Sequence, residues 1–274
     1  MASVKSIGSL NFTFSMTLVR GSINFLESNK CCASLVSPQP RIKSRVAGKL
    51  FFLCTLGPLW LSRPMTKLTD GPRGGSGMLA VFCDLAEEDQ ADFRPWLIED
   101  MFPARLDIGF NACASFDRVS GDGPEFVTLY EMPSLGHLYG EPYQALRRVR
   151  NPRDAAYHEK FQNPERHTYA WAGPELSSEA GGFAPYIYVD RFELADEDAQ
   201  AFNIWFVGSY LPALSELEGL LRMRRYVSME GAPKHFVLHE FADGVVFENS
   251  DWMIVREQFG DATSALYQRI IHAP

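Results

Sequence analysis

The chain contains two copies of one pattern. Phe93, Trp96 and Pro103 in FRPWLIEDMFP (93–103) recur as Phe202, Trp205 and Pro212 in FNIWFVGSYLP (202–212), an offset of 109 residues. An offset kept across several elements requires a duplicated structural unit, and this constrains the fold more than any single motif. An apolar strand precedes each helix, MLAVFCDL (78–85) and YIYVDRFEL (186–194), followed by an acidic turn, AEEDQAD and ADEDAQA. Acids suit a helix start, where free N–H groups and the dipole are positive. Proline is tolerated in the first helical turn, so Pro95 predicts that the first helix starts near 89–92. Pro103 and Pro212 are expected to end the two helices. Phe93, Trp96 and Phe102, and likewise Phe202, Trp205 and Leu211, form one apolar stripe each, as expected for packing on a sheet.

The rest of each copy follows in register. Second strands are expected at 109–116 and 219–226, Gly-containing turns at SGDGP and MEGAP, and third strands at 125–132 and 234–241. Second helices at 138–160 and 249–259 and final strands at 167–172 and 264–271 complete the units. The order is β-α-β-β-α-β twice, a ferredoxin-like arrangement of class α+β. One such unit leaves a face of its sheet bare. Two in tandem cover each other, which predicts a pseudo-dimeric α+β barrel closed within one chain. The expected units are 78–176 and 184–274, joined by a linker at 177–183.

Charge separates the first 77 residues from the remainder. They hold ten Lys/Arg and two acids, about +8, against 16 basic and 32 acidic residues beyond, −16; the two sum to the net −8. An acidic body is a poor partner for nucleic acid, whose phosphates need basic clusters. The apolar run 50–62 is too short for a membrane span, which takes ~20 residues. Residues 1–77 are expected to lie outside the folded core, with DGPRGGSG (70–77) as a flexible joint. Three readings stay open for them: an organellar transit peptide, a secretory signal, or upstream sequence with a start at Met65 or Met78. The expected location is cytoplasmic, or an organelle if the segment is a transit peptide. Cys83 and Cys113 lack metal or CxxC spacing and read as small buried hydrophobes.

The strand, the acid turn, F..W followed by the proline, and the L(Y/H)E of the third strands at 129–131 and 238–240 resemble the dimeric α+β barrel superfamily. The likeness is nearest to EthD-like and antibiotic-biosynthesis-monooxygenase-like proteins and covers about 85–272. It implies a pocket beside the sheet for a small hydrophobic or aromatic molecule. It also implies cofactor-free oxygenase, isomerase or cyclase chemistry, although members without known activity exist. EthD-like relatives commonly carry a His two residues before the helix proline. Met101 and Tyr210 hold those positions here.

Side chains alternate faces along a strand. Copy two can therefore gather Tyr188, Asp190, His235 and His239 on one sheet face, where copy one has Leu79, Val81, Phe126 and Tyr130. Burying an acid and two histidines is costly unless they pair or line a wet cavity. The candidate catalytic pair is His239 with Asp190, the histidine as general base and the aspartate fixing its tautomer. Tyr188, Tyr210, His235 and Tyr130 are the candidate binding residues. The competing reading makes the histidines quietly satisfied core groups. His137, His158 and His167 read as part of a solvated, charged face. No metal spacing, phosphate loop or nucleophile motif is present in the sequence. The expected partner is a small hydrophobic molecule, with no cofactor, no metal, no nucleic acid and no membrane span, in a monomer or homodimer. A non-catalytic binding protein or a purely structural barrel stays open beside the enzyme.

Overall fold

A computed structural model describes residues 66–69, 71–178, 182–259 and 262–273. Among these described residues ten strands lie in one sheet: β1 (Lys67–Thr69), β2 (Gly77–Asp84), β3 (Ala112–Gly121), β4 (Phe126–Met132), β5 (Gln162–Trp171), β6 (Glu175–Ser177), β7 (Tyr186–Phe192), β8 (Leu220–Glu230), β9 (His235–Phe241) and β10 (Thr263–Ala273). Repeat one runs β5-β2-β4-β3 and repeat two runs β10-β7-β9-β8. Pairing of β3 with β10 and of β5 with β8 closes the two sheets into an eight-stranded antiparallel barrel. The expected ferredoxin-like duplication and intrachain barrel are present. Closure removes sheet edges that a single repeat would expose.

The helices lie outside the barrel, so every central strand is covered on both faces. Inside, Phe82, Phe116 and Leu129 of repeat one meet Ile187, Tyr226 and Phe236 of repeat two. Outside, Phe93, Trp96 and Phe102 pack on the repeat-one sheet, and Phe206, Tyr210 and Leu211 pack on the repeat-two sheet. β4 and β9 are buried at every position.

The helices depart from expectation in an instructive way. The first begins at Glu87 and keeps Pro95 inside it. The lost hydrogen bond costs ~3 kcal/mol, which burial of Phe93 and Trp96 on either side of the proline offsets. Nor do Pro103 and Pro212 end their helices. A π-helical turn, Leu97–Met101 in repeat one and Phe206–Tyr210 in repeat two, precedes each proline. The helix then resumes at Phe102–Leu106 and Leu211–Ser215. The wider turn relieves the clash between a proline ring and the carbonyl four residues back. The expected single second helix of repeat one is three pieces, Gly136–Tyr139, Glu141–Arg148 and Pro152–His158, the latter two each opening with a proline in the first turn.

The fold also begins earlier than expected. β1 pairs with β6, and β6 with β8, so Lys67–Thr69 belongs to the sheet, and Ser177, expected in the linker, ends a strand. The glycine run after it is no free joint. Gly75 takes a φ of 99° and a Cβ there would collide with the Met132 carbonyl, so glycine is required, and Gly74 beside it passes over the Glu131 carboxylate. The other leader expectations fall on 1–65, outside the described residues.

One end of the barrel interior is charged. Glu131 of β4 and Glu240 of β9 are mates across the repeat. Arg222 and Arg224 of β8 bind both: Arg222 Nε lies 2.6 Å and Arg224 Nη2 2.8 Å from Glu240 Oε2. Arg224 Nη1 pairs with Glu131, and Arg222 Nη2 lies 3.3 Å from it. Register identifies the repeat-one counterpart of Arg222: it sits opposite Glu240 as Ala112 sits opposite Glu131. Both arginines thus come from repeat two, with Ala112 and Ala114 in their places in repeat one.

Candidate functional site

β7 and β9 are neighbours, with Tyr188 opposite His239 and Asp190 opposite Val237. Their helix-facing side chains therefore share one surface, under the helix Ser250–Arg256. The π turn delivers Tyr210 to the same place, since it ends on that residue. Tyr210 donates its hydroxyl to His239 Nε2 at 2.8 Å. His239 Nδ1 lies 3.2 Å from the Tyr188 carbonyl, which can only accept. The tautomer follows: Nδ1 carries the proton and Nε2 receives one. The Tyr188 carbonyl, not Asp190, holds this tautomer.

Asp190 Oδ2 stands 3.5 Å from His239 Nδ1, and its Oδ1 accepts from Ser264 Oγ at 2.5 Å. The separation would permit an ion pair, yet burial opposes charge on both groups. Burial pushes the Asp190 carboxyl up to about 7 despite the Ser264 hydrogen bond. It pulls His239 down to about 4 despite the Tyr188 carbonyl. Between those values both are neutral. Burial, with Asp190 beside it, raises the Tyr188 phenol, although Ser264 and Arg256 beside its hydroxyl pull the other way. Burial raises Tyr210 well above its ordinary range. The line Ser264–Asp190–His239–Tyr210 is thus a buried, mostly uncharged relay roofed by Trp252, whose ring stands edge-on to Tyr188 at 5.0 Å.

The other two candidates lie elsewhere. His235 stacks on Phe192 at 5.2 Å, at the opposite end of β9, with Nδ1 unpartnered; burial and Arg225 lower it. Tyr130 packs in the repeat-one layer, edge-on to Phe102 and Phe110, and burial raises its phenol. His167 also differs from expectation. It is buried on β5, stacked on Tyr169 inside the barrel rather than on a solvated helix face. Cys83 and Cys113 are buried free thiols that burial pushes up to about 12, so neither is a ready nucleophile. No group of three or more metal-ligating side chains is assembled among the described residues.

Of the grooves on the described surface, two are lined by none of Tyr188, Asp190, Tyr210, His235 and His239. One runs along the outside of the repeat-two helix, from Asp196 to Gly208. The other, about 490 Å³, lies on repeat one between Phe93, Phe126 and Ile270, with arginines at its rim. Sequence reading missed it, because β3 and β10 belong to different repeats and meet only through barrel closure.

No protein-family model matches the chain, and no curated protein does. Solved structures do. An anthrone oxidase-like protein superposes with a TM-score of 0.51 at 14% identity, covering 76% of this chain and 96% of its own. A putative monooxygenase from Lactobacillus acidophilus gives 0.49 at 12% identity, over 72% and 96%. A ferredoxin-fold protein from Listeria monocytogenes, related to antibiotic biosynthesis monooxygenases, gives 0.40 at 13% identity, over 71% and 94%. Strand order and the first of these likenesses define the architecture. The chain has the fold of a dimeric α+β barrel, closed by two halves of one polypeptide. At these identities the likeness speaks for the fold. No described helix is long and apolar enough to cross a membrane.

Proposed function

We propose that the protein binds a small hydrophobic, aromatic molecule at the helix-covered face of repeat two, with His239 able to move a proton. The observation that carries this reading is the asymmetry of two otherwise matched interfaces. Repeat two buries Tyr188, Asp190, Tyr210 and His239 where repeat one has Leu79, Val81, Met101 and Tyr130. A layer that only packs has no need of them, and each polar group is costly there without full pairing. The Tyr188 hydroxyl, beside Ser264 and Arg256, and the Asp190 carboxyl are the handles for a carbonyl or phenol on the ligand. Neutral His239, held between Tyr210 and the Tyr188 carbonyl, is the base. Entry requires the Ser250–Arg256 helix to lift Trp252 from the sheet.

The structural neighbour called anthrone oxidase-like suggests the probe, since an anthrone is flat, apolar and carries a carbonyl. Anthrone should bind the parent protein by ligand-observed NMR, and Asp190→Asn should weaken it about tenfold, the scale of one buried hydrogen bond. Oxygen uptake by the mixture should fall with His239→Gln. Binding without oxygen uptake would select the non-catalytic reading. Equal binding by parent and both variants, all folded, would sink the site.

A further inference from the structure

The repeat-one groove is a second, chemically different site: we propose that it receives a small aromatic carboxylate that also bears a hydrogen-bond donor. The comparison of the repeats shows why the groove exists. In repeat two the side chain of Arg225 lies between the first helix and the sheet. It is buried, stacked over Phe202 at 5.0 Å, and bonded to Asn203 Oδ1 at 2.6 Å. Register places Ser115 at the matching position, since Ser115 faces Thr128 as Arg225 faces Val237. Phe93 and Arg94 match Phe202 and Asn203. Repeat one therefore lacks the plug, and its groove of about 490 Å³ opens beside the residues that the plug touches in repeat two. That volume suits a small ligand.

The lining specifies the ligand. Phe93, Phe126 and Ile270 give an apolar floor for a ring. Arg94 and Arg118 stand against Asp117 and Glu125 on a strongly acidic body, while Arg269 lines the groove with its guanidinium given to the Phe183 carbonyl. Glu125 is already engaged, with Gln90 Nε2 3.1 Å from both its oxygens. Arg118 gives Nη1 to the Gly121 carbonyl at 2.8 Å and keeps its other N–H groups. These suit a carboxylate, which a guanidinium can grip with two hydrogen bonds. Asp117 Oδ1 is buried without a partner. An acceptor left open beside the arginines calls for a hydroxyl or amine on the same ring. Arg269 comes from β10, so the site is complete only when the barrel closes.

Salicylate carries ring, carboxylate and hydroxyl and is the probe; benzoate lacks the donor and phenol the carboxylate. Calorimetric titration of the full chain should show salicylate binding best and phenol not at all. Arg94→Gln with Arg118→Gln should weaken salicylate at least tenfold, as for a lost charge-assisted pair. Asp117→Ala, which removes the acceptor, should reduce salicylate to the level of benzoate. Ser115→Arg with Arg94→Asn transplants the repeat-two plug and should abolish binding; should it fail to fold, the exposed-rim variants decide. Unchanged salicylate binding in the rim variants, or equal binding of salicylate and benzoate, overturns the proposal. His239→Gln should leave salicylate binding intact, so this site can fail or stand independently of the repeat-two reading.

Discussion

Asp190 and His239 make opposite demands on pH. His239 falls to about 4 in the folded chain from 6.5, so the unfolded chain holds the extra proton between those values. Its contribution is therefore present above pH 6.5 and lost as pH falls toward 4. Asp190 rises from 3.8 to about 7, so the folded chain holds the extra proton in that window. Its contribution is present below pH 4 and lost as pH rises toward 7. Each displacement is worth about 1.4 kcal/mol per pH unit, so the two slopes nearly cancel between pH 4 and 6.5. Asp190→Asn should unmask the histidine, giving urea stability that climbs between pH 4 and 6.5. His239→Gln should unmask the aspartate, giving stability that falls between pH 4 and 7. Parallel profiles for parent and both variants would show that the two groups are not buried neutral. Alternation along β7 and β9 made the meeting of Tyr188, Asp190 and His239 legible in the sequence. Tyr210 was legible as a position but not as the partner of His239, because a π turn, which no periodicity announces, aims it.

Elements were legible where local chemistry is strong and illegible where it is overridden. Strand positions follow the apolar runs within a few residues. Helix ends were misread at Pro95, Pro103 and Pro212, since a proline rule applied to an α-helix fails beside a π turn. β1 could not be read at all: Lys67–Thr69 is three residues long, with Lys67 and Leu68 exposed and Thr69 half-buried, and becomes a strand only because β6 offers an edge. This element makes a prediction. A chain starting at Thr66 keeps β1, the buried Thr66 and the passage of Gly74 over Glu131. One starting at Met78 loses all three and leaves a sheet edge and the Glu131 end of the barrel less covered. The shorter chain should melt several degrees lower, on the order of 1–2 kcal/mol. Identical melting curves would mean that β1 is an ornament on the barrel.

At the scale of the molecule, the interior charges explain why this barrel belongs to one chain. They escaped the sequence reading because both faces of β4, β8 and β9 are buried, so polar alternation no longer marks an outside. Glu131 and Glu240 were visible as a repeated pair; their partners Arg222 and Arg224 were not. Repeat one contributes Glu131 and alanines, and repeat two contributes Glu240 and both arginines. Burial opposes the charge on Glu240, but Arg222 and Arg224 outweigh it and hold the carboxyl below its ordinary value. Two copies of repeat one would face two glutamates with no arginine. Two copies of repeat two would face four arginines with two glutamates. Only the mixed pair sets two arginines against Glu131 and Glu240, with buried Glu175 nearby pushed up toward its neutral form, and an uncompensated buried charge costs ~3–5 kcal/mol. The duplication has thus acquired specificity against its own homodimers. Fragments 66–178 and 182–274, made separately, should each aggregate or stay unfolded, with a bare sheet face and unmatched charge. Mixed during refolding, they should form a one-to-one complex by native mass spectrometry. Glu131→Ala in the first fragment should weaken that complex by roughly the cost of a broken buried pair. A stable, cooperatively melting homodimer of either fragment would refute the charge argument, because its interior would then have tolerated the imbalance.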